Sequence, residues 1–368
     1  MRKVLFHIHA MGRGGAERVV SILASALAND GIDVTLVTLW KEKNEYDVPE
    51  KAKRISIDDK LNKRGKIGRT LGRYTVFRKV IKEEAPDLVI SFCNKANFRA
   101  SISMQGLKTP LIVSVRNNPD MDYRPFRLQT KIMEKKASGC VFQTEYAKEY
   151  FSKRLQDKSV IIWNPIDEKY IKADANPEWN SDNKVKRIVS VGRIARQKNH
   201  MVMVKAFEAV KDEHLDAVLE LYGEDFNDGS FAELKDYIEK RGLEKTVKYM
   251  GLSSHIEEDI KDAYMFVMSS DYEGMPNALM EAMALGLPVI STDCPCGGPA
   301  MLIDNGVNGI LTPVKDYESM AEAMKQLLDD EDNRNRMARE ALKIRDKADI
   351  ESIYGSWKEY IGKTINGN

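Results

Sequence analysis

The chain has 368 residues, 31% charged side chains and a formal charge of +1. This balance argues against a global attraction to nucleic acid, and no run of 18 apolar residues predicts a transmembrane helix. The length exceeds what one hydrophobic core usually serves, so we expect two domains.

The first half alternates short apolar runs with helical patterns, such as the amphipathic Ala16–Asn29. Continuous apolar runs are typical of parallel strands that are buried on both faces. The alternation predicts a doubly wound α/β domain over residues 1–165. The start of the chain is predicted to be its first strand and not a signal peptide. The predicted strands are Val4–Ile8, Val34–Leu39, Leu88–Phe92, Leu111–Val115, Cys140–Gln143 and Val160–Trp163.

A glycine-rich segment, "HAMGRGGAERVV", follows the first strand. Gly12, Gly14 and Gly15 allow a tight turn and the close approach of a ligand. A dinucleotide site requires a third glycine and an acid at the end of the second strand. Here Glu17 stands near the glycine position, and no acid stands at the tip of that strand. A plain turn and a loop that contacts a diphosphate or sugar both stay open, with a nucleotide-binding oxidoreductase as the weaker alternative.

A basic segment lies between Lys60 and Lys82, which has nine basic residues and no acidic one. Ile67 and Leu71 belong to an apolar helical stripe, which basic residues flank. Such a pattern is typical of binding to an anionic membrane surface, although a solvated face has the same composition. The flanking basic residues are Lys66, Arg69 and Arg73.

Two further motifs in this half resemble metal ligands. Asp120 and Asp122 form Asp-x-Asp, but they lie in a loop past the strand tip, where an acceptor loop or a turn is favoured. His7 and His9 share one face of the first strand and are predicted core residues, since no other ligand stands at metal spacing. We expect no metal, and four free cysteine thiols in a reducing cytoplasm.

The polar segment Asn164–Lys186 contains two prolines and is predicted to be an interdomain linker. A second α/β domain follows over residues 166–349, and a cleft between the domains is the expected ligand site. The tail, about Ile350–Ile365, is a predicted helix that is expected to pack on the first domain. The strands predicted for the second domain are Ile188–Val191, Ala217–Tyr222, Val247–Met250, Phe266–Met268, Val289–Ser291 and Ile310–Leu311.

Strand tips in the second domain carry candidate ligand-binding residues. Arg193 and Lys198 follow its first strand, and this pair of cations suits a diphosphate. Gly223 ends its second strand. In "DYEGMPNALMEAMALGLPVISTDCP" (Asp271–Pro295), Glu281 is a lone charge in a predicted buried helix, where it is costly unless it is paired. Glu273 stands at the mouth of this helix, so two carboxylates could serve one ligand.

The start of this predicted helix suits an anion. Pro276 fits the first helical position, and N–H groups at a helix N-terminus favour negative charge. The chain resembles the retaining glycosyltransferases of family four in "GGAERV", "NPID", "VGRIARQKN", "YGE" and "EGMPNALMEAMALGLPVISTDC". The resemblance covers nearly the full length. It implies the α/β GT-B fold, in which two Rossmann-like domains face a cleft.

The resemblance also implies site roles. Arg193 and Lys198 would neutralise the diphosphate of a UDP-sugar, Glu281 would bind the ribose, and Glu273 would contact the sugar. Further donor contacts are implied for Gly15, Gly223, Gly274, Met275, Pro276, Asn277 and Ala278. The expected acceptor residues are Arg13, Arg116, Asn117, Lys66, Arg69 and Arg73.

The chain departs from the family at Arg116, where many members have a histidine near the reacting centre. Arginine stays protonated and cannot act as a base, so the resemblance favours front-side chemistry in which the donor phosphate receives the acceptor proton. We expect a hexosyl- or N-acetylhexosaminyltransferase that acts on a polyprenyl-diphosphate-linked bacterial glycan. Its expected place is the inner face of the cell membrane, peripherally bound, and a soluble acceptor is the alternative.

Overall fold

The structure, a computed structural model, describes residues 1–12, 14–61, 65–175, 177–179 and 185–366, with only the backbone described at Lys66. The chain forms two compact units: a first unit of residues 1–165 and 350–368, and a second unit of residues 166–349. Each is a Rossmann-like α/β domain built on its own parallel sheet. Within the described ranges, no helix combines the length and apolar character that a membrane span requires.

The first unit contains a seven-stranded parallel sheet in the order β3-β2-β1-β4-β5-β6-β7. Five of the six predicted strands are shifted by one or two residues and one is matched. The edge strand β3 was missed because its residues, KRIS, form no apolar run. The strands are β1 (Lys3–His7), β2 (Asp33–Thr38), β3 (Lys53–Ser56), β4 (Leu88–Phe92), β5 (Leu111–Ser114), β6 (Gly139–Phe142) and β7 (Ser159–Ile161).

The helices of the first unit cover both faces of this sheet. α1 buries Val19, Val20, Leu23 and Leu27 in the core, as its helical spacing predicts. His7 is buried between Val37 and Arg99: Nδ1 lies 2.9 Å from the Val37 carbonyl and Nε2 lies 3.0 Å from the Arg99 guanidinium. The helices are α1 (Gly15–Asn29), α2 (Lys66–Glu84), α3 (Asn94–Ser103), α4 (Pro119–Asp122), α5 (Arg127–Lys136), α6 (Glu145–Glu149) and α7 (Lys153–Gln156).

The predicted linker Asn164–Lys186 does not separate the units as expected: residues 164–165 belong to the first unit, and the second unit begins at Ile166. α8 (Glu168–Lys172) starts after Asp167, whose side chain accepts from the Lys169 amide. Tyr170 in this helix is buried, and the Ile166 amide donates to the Ala348 carbonyl at 2.8 Å. These apolar anchors are too widely spaced to form a periodic pattern. Residues 176 and 180–184 of the predicted linker lie outside the description.

The second unit contains a six-stranded parallel sheet in the order β10-β9-β8-β11-β12-β13. The strands are β8 (Lys186–Val191), β9 (Ala217–Tyr222), β10 (Val247–Gly251), β11 (Met265–Met268), β12 (Val289–Thr292) and β13 (Ile310–Thr312). The remaining helices of this unit are α9 (His200–Val210), α10 (Ser230–Lys240), α11 (Ile256–Ile260), α12 (Asn277–Ala284), α13 (Gly298–Leu302), α14 (Tyr317–Asp329) and α15 (Glu331–Ala341).

The C-terminal helix α16 (Ile350–Asn366) packs on the first unit. Its stripe of Ile353, Trp357 and Ile361 joins the core of that unit. The Trp357 ring lies 5.7 Å from the Phe92 ring, centroid to centroid. The Tyr360 hydroxyl donates to the Lys158 carbonyl at 2.5 Å. The last helix therefore completes the first domain.

Candidate active site

Glu273 lies in the loop between β11 and α12, and the loop after β12 holds its backbone. The Glu273 amide donates to the Pro295 carbonyl at 2.6 Å, and the Cys296 amide donates to the Glu273 carbonyl at 2.8 Å. The carboxylate is buried. It also contributes, after burial, to raising the pKa of the Cys294 thiol to about 12. Glu273 is thus fixed at the carboxyl end of the second sheet, where ligands of such sheets bind.

Lys198 meets this carboxylate. Its ammonium lies 2.6 Å from Oε1 of Glu273, and the Ser270 hydroxyl donates to the same oxygen at 2.7 Å. Lys198 ends a short 3-10 turn after β8, the strand that pairs with β11. A cation and a carboxylate therefore stand together across neighbouring strand ends. They form a neutral pair with one group for an anion and one for hydroxyls.

Two glycines, Gly223 and Gly298, allow backbone segments to approach closely beside this pair. A Cβ at Gly223, where φ is +145°, would lie 1.9 Å from the Gly192 carbonyl oxygen. Gly192 itself has room for a Cβ, which would make an ordinary contact with the Lys198 side chain at 3.4 Å. A Cβ at Gly298 would lie 1.7 Å from the carbonyl oxygen of Gly274. At Gly223 and Gly298, the backbones beside the pair are therefore packed without room for side chains.

Arg193 takes a different place from Lys198. It is exposed, and its guanidinium carbon lies 4.6 Å from the centroid of the Phe226 ring. Phe226 follows β9, and its amide donates to the Ile194 carbonyl at 3.0 Å. A cation over an aromatic face is stabilised electrostatically. Phe226 therefore orients one of the two predicted phosphate-binding cations.

Helix α12 begins one residue later than predicted. Pro276 is its cap, with extended backbone angles, and Asn277 is the first helical residue. Gly274, Met275 and Pro276 are buried, while Asn277 and Ala278 are half-buried. Glu281 lies one turn inside the helix and is only 6% exposed. The expectation that Glu281 is not a surface residue is therefore confirmed.

In the first unit, Arg116 lies at the carboxyl end of β5. Its guanidinium donates to Oδ1 of Asn164, which also accepts from the Gln143 amide group at 2.8 Å. The guanidinium carbon lies 5.5 Å from the Phe92 ring centroid. Burial lowers the pKa of Arg116 to about 10. It is therefore protonated at neutral pH, held by neutral groups, and suited to an anion rather than to proton abstraction.

The other predicted acceptor residues have separate environments. Asn117 donates a hydrogen bond to Asp122, whose pKa burial nevertheless raises. Arg69 is exposed on α2. Arg73 is engaged by Asp58 in two hydrogen bonds, of 2.8 and 2.5 Å. An acceptor would have to compete with Asp58 for Arg73. The sequence could not show this pair, which joins two elements.

The four remaining candidate residues are Gly15, Arg13, Lys66 and Asp120. Gly15 is the first residue of α1, and Gly14 is its cap. Arg13 lies outside the described residues, as does the side chain of Lys66. Asp120 accepts a hydrogen bond from the Tyr146 hydroxyl at 2.6 Å. In the described part of the chain, no group of three or more His, Cys, Asp or Glu side chains is arranged to hold a metal ion.

Two family models match the chain, one on each unit. The model described as Glycosyltransferase Family 4 matches residues 13–170, and the model described as Glycosyl transferases group 1 matches residues 172–344. The second of these ranges contains Lys198, Glu273 and Glu281. The chain belongs to the family-four glycosyltransferases. As a glycosyltransferase it transfers a sugar, and the paired groups described above lie in its group 1 domain.

The glycosyltransferase is similar to two enzymes of Campylobacter jejuni. One is the GalNAc-alpha-(1->4)-GalNAc-alpha-(1->3)-diNAcBac-PP-undecaprenol alpha-1,4-N-acetyl-D-galactosaminyltransferase, at 25% identity over 100% of both chains. The other is the N-acetylgalactosamine-N,N'-diacetylbacillosaminyl-diphospho-undecaprenol 4-alpha-N-acetylgalactosaminyltransferase, at 26% identity over 95% of this chain and 96% of that enzyme.

Among solved structures, Anabaena HepE in complex with UDP and glucose has a TM-score of 0.82 to this glycosyltransferase. The identity is 17%, and the match covers 98% of this chain and 100% of that chain. At this identity the likeness concerns the fold. It confirms the predicted GT-B architecture of Rossmann-like domains.

Sequence reasoning missed several residues that shape the site of this glycosyltransferase. Ser270 stands one residue before the quoted motif, and its hydroxyl contact could not be inferred without the turn. Phe226 offered a signal as the aromatic residue that follows the "YGE" strand tip. Gly298 offered another, as part of the Gly297–Gly298 pair that caps α13. Asn164 lies within the quoted "NPID" but was given no role.

Proposed function

We propose that this glycosyltransferase transfers a hexose or N-acetylhexosamine, with retention, from a UDP-sugar to a growing lipid-linked bacterial glycan. The observation that carries the proposal is the Lys198–Glu273 pair at the carboxyl ends of β8 and β11. Relatives named for diphospho-undecaprenol acceptors support the lipid link. The complex of HepE with UDP and glucose supports the donor class.

In the donor step, the diphosphate forms an ion pair with Lys198. Arg193, which is stacked on Phe226, also contacts the diphosphate. Release of Lys198 leaves the Glu273 carboxylate to accept hydrogen bonds from hydroxyls of the sugar. The buried Glu281 binds the hydroxyls of the ribose. Gly223 and residues 274–278 provide the close backbone contacts around the donor.

The chemistry proceeds on one face of the sugar. The bond between C1 and the β-phosphate oxygen breaks, and the acceptor oxygen bonds to C1 from the same side. The acceptor proton moves to the departing phosphate oxygen, so the reaction needs no protein base. Stabilisation of the leaving diphosphate then carries much of the rate. Removing one preorganised group of this kind typically costs about 2.7–4 kcal/mol.

The acceptor side uses cations of the first unit. Arg116 and Asn117 bind the acceptor near the strand ends. Arg69, with Lys66, Arg73 and Arg13, attracts the diphosphate of the lipid carrier and the anionic membrane surface. Each basic residue near such a surface contributes about 1 kcal/mol. The enzyme therefore works as a peripheral protein on the cytoplasmic face of the membrane, without a metal or other cofactor.

The test is UDP binding and sugar transfer by single-residue variants. Glu281→Ala should weaken UDP binding at least tenfold by titration calorimetry, because the ribose loses its carboxylate. Glu273→Ala should keep UDP affinity within about threefold but lower transfer about a hundredfold. Glu239→Ala, an exposed change on α10, is the control. Unaltered transfer by both site variants, or binding of NAD in place of UDP, contradicts the proposal.

A further inference from the structure

An exposed apolar surface lies on the first unit, in a segment whose residues have no role in the proposed function. Met121 is 55% exposed, Phe126 39% and Leu128 70%. They occupy the end of α4, the 3-10 turn Arg124–Phe126 and the start of α5. We call this segment, residues 121–128, the β5 apron. Three large apolar side chains that are exposed within eight residues indicate an interaction surface.

The apron is ordered by the core beneath it. The Phe126 ring lies 5.8 Å from the Phe98 ring, centroid to centroid, and the Tyr123 ring lies 5.4 Å from the same Phe98. Tyr123 is fully buried. One side of the segment is therefore anchored, while Met121 and Leu128 point away from the core.

The charge of the apron selects the partner. Arg124, Arg127 and Lys131 are all exposed. The nearby acids are less available, since Asp120 accepts from Tyr146 and Asp122 is held by burial and Asn117. Exposed cations beside exposed apolar side chains complement an anionic bilayer, which offers phosphates above and acyl chains below.

Helix α2 presents a matching surface at the same edge of the sheet. Ile67 is 79% exposed and Leu71 64%. Arg73, which follows them, bonds to Asp58 just after β3 and lies 6.0 Å from the ring centroid of Trp40 just after β2. The first turns of α2 therefore lie at the carboxyl edge of the sheet, where the apron follows β5.

The two surfaces are close enough to contact one membrane. β2 and β5 are separated by three steps in the sheet order. At about 4.8 Å per step, their ends lie about 14 Å apart. Two contacts at this separation fix an orientation that a single helix cannot fix. We infer that the β5 apron and the first turns of α2 together dock the carboxyl edge of the first unit onto an anionic bilayer.

This inference rests on the proposed function for one point only, the reason for membrane binding, which is to bring Arg116 to a lipid-linked acceptor. It is tested separately with vesicles of phosphatidylglycerol and phosphatidylcholine that contain brominated acyl chains. In a Phe126→Trp variant, the emission of the introduced tryptophan should shift to the blue and be quenched by the bromines when vesicles are added. The control is Leu215→Trp, at a site of the second unit that is 87% exposed. Its fluorescence should change in neither way.

A second variant separates docking from catalysis. Phe126→Ser with Leu128→Ser should weaken vesicle binding at least tenfold, while transfer to an acceptor dissolved in detergent stays within about twofold of the unaltered enzyme. Undiminished vesicle binding, or equal quenching of both tryptophan variants, overturns the inference and leaves the transferase proposal standing. A concentration-dependent dimer that this double change dissociates also overturns it, in favour of a second copy. Absence of transfer by the unaltered enzyme contradicts the proposed function instead.

Discussion

At the scale of residues, the Glu273 carboxylate accepts a hydrogen bond from a neighbouring serine. Ser270 is fully buried, and its hydroxyl donates to Oε1 of Glu273, the oxygen that Lys198 also contacts. In the proposed donor complex a diphosphate would draw Lys198 away, and the Ser270 hydroxyl would still orient the carboxylate. Ser270 is therefore a positioning residue for Glu273.

Ser270→Ala should lower transfer about tenfold, because a hydrogen bond to a charged group contributes about 1.5 kcal/mol. The effect should fall on kcat, with UDP affinity and thermal stability little changed. Ser291→Ala is the matched control, since Ser291 is a buried serine whose hydroxyl bonds to the Thr292 carbonyl at 3.1 Å. Normal kcat in Ser270→Ala would show that Lys198 alone orients Glu273.

The positions of the candidate site residues in the fold could be predicted from sequence, but most of their contacts could not. Motif spacing placed Lys198, Glu273 and Glu281 at strand ends and in a helix. The Lys198–Glu273 pair joins positions 75 apart and depends on the pairing of β8 with β11. Arg73 is a second example. Its spacing suggested an exposed cation, whereas in the fold it is hydrogen-bonded to Asp58.

At the scale of elements, two loops of the second unit cross at Gly192 and Gly223. Gly223→Ala should destabilise this unit by about 3 kcal/mol or more, because the added Cβ would lie 1.9 Å from a backbone oxygen. Gly242→Ala is the control: φ there is +64°, and nothing lies within 4 Å of the added Cβ. It should cost only about 1–2 kcal/mol. Denaturant unfolding measures both, and equal losses would contradict the crossing.

The elements themselves were mostly predictable, because strands that are buried on both faces form continuous apolar runs. The exceptions have physical reasons. β3 is an edge strand whose outer residues are polar, and α8 is a single short helix held by Tyr170 and Ile166. Pro276 was predicted inside α12 and is its cap, a difference of one residue that depends on the turn geometry.

At the scale of the whole molecule, buried histidines make each unit sensitive to acid. Burial lowers the pKa of His7 well below its usual value, and burial with the charge of Lys198 lowers that of His200 to about 3. Both are neutral in the folded and unfolded chain at pH 7. Below pH 6.5 the unfolded chain binds protons that the folded chain does not, so stability falls as pH falls.

Urea unfolding should therefore show a loss of about 2 kcal/mol per buried histidine between pH 7 and pH 5, at about 1.4 kcal/mol per pH unit below pH 6.5. His200→Gln should lower by one the number of protons that the chain takes up on unfolding at low pH, and so reduce the pH dependence of the free energy of unfolding. A second unit whose stability is the same at both pH values, or an unchanged slope in the variant, would contradict the burial of a neutral His200.

The central claim is sugar transfer from a UDP-sugar with retention. It is tested most directly by incubating the protein with each of UDP-glucose, UDP-galactose and their N-acetylamino forms and a polyprenyl-diphosphate-linked glycan, followed by NMR of the product. These donors carry an α-linked sugar, so we predict release of UDP and a new α-linkage from at least one of them, which the Glu273→Ala variant loses. A β-linked product, or no UDP released from any donor, would contradict the account.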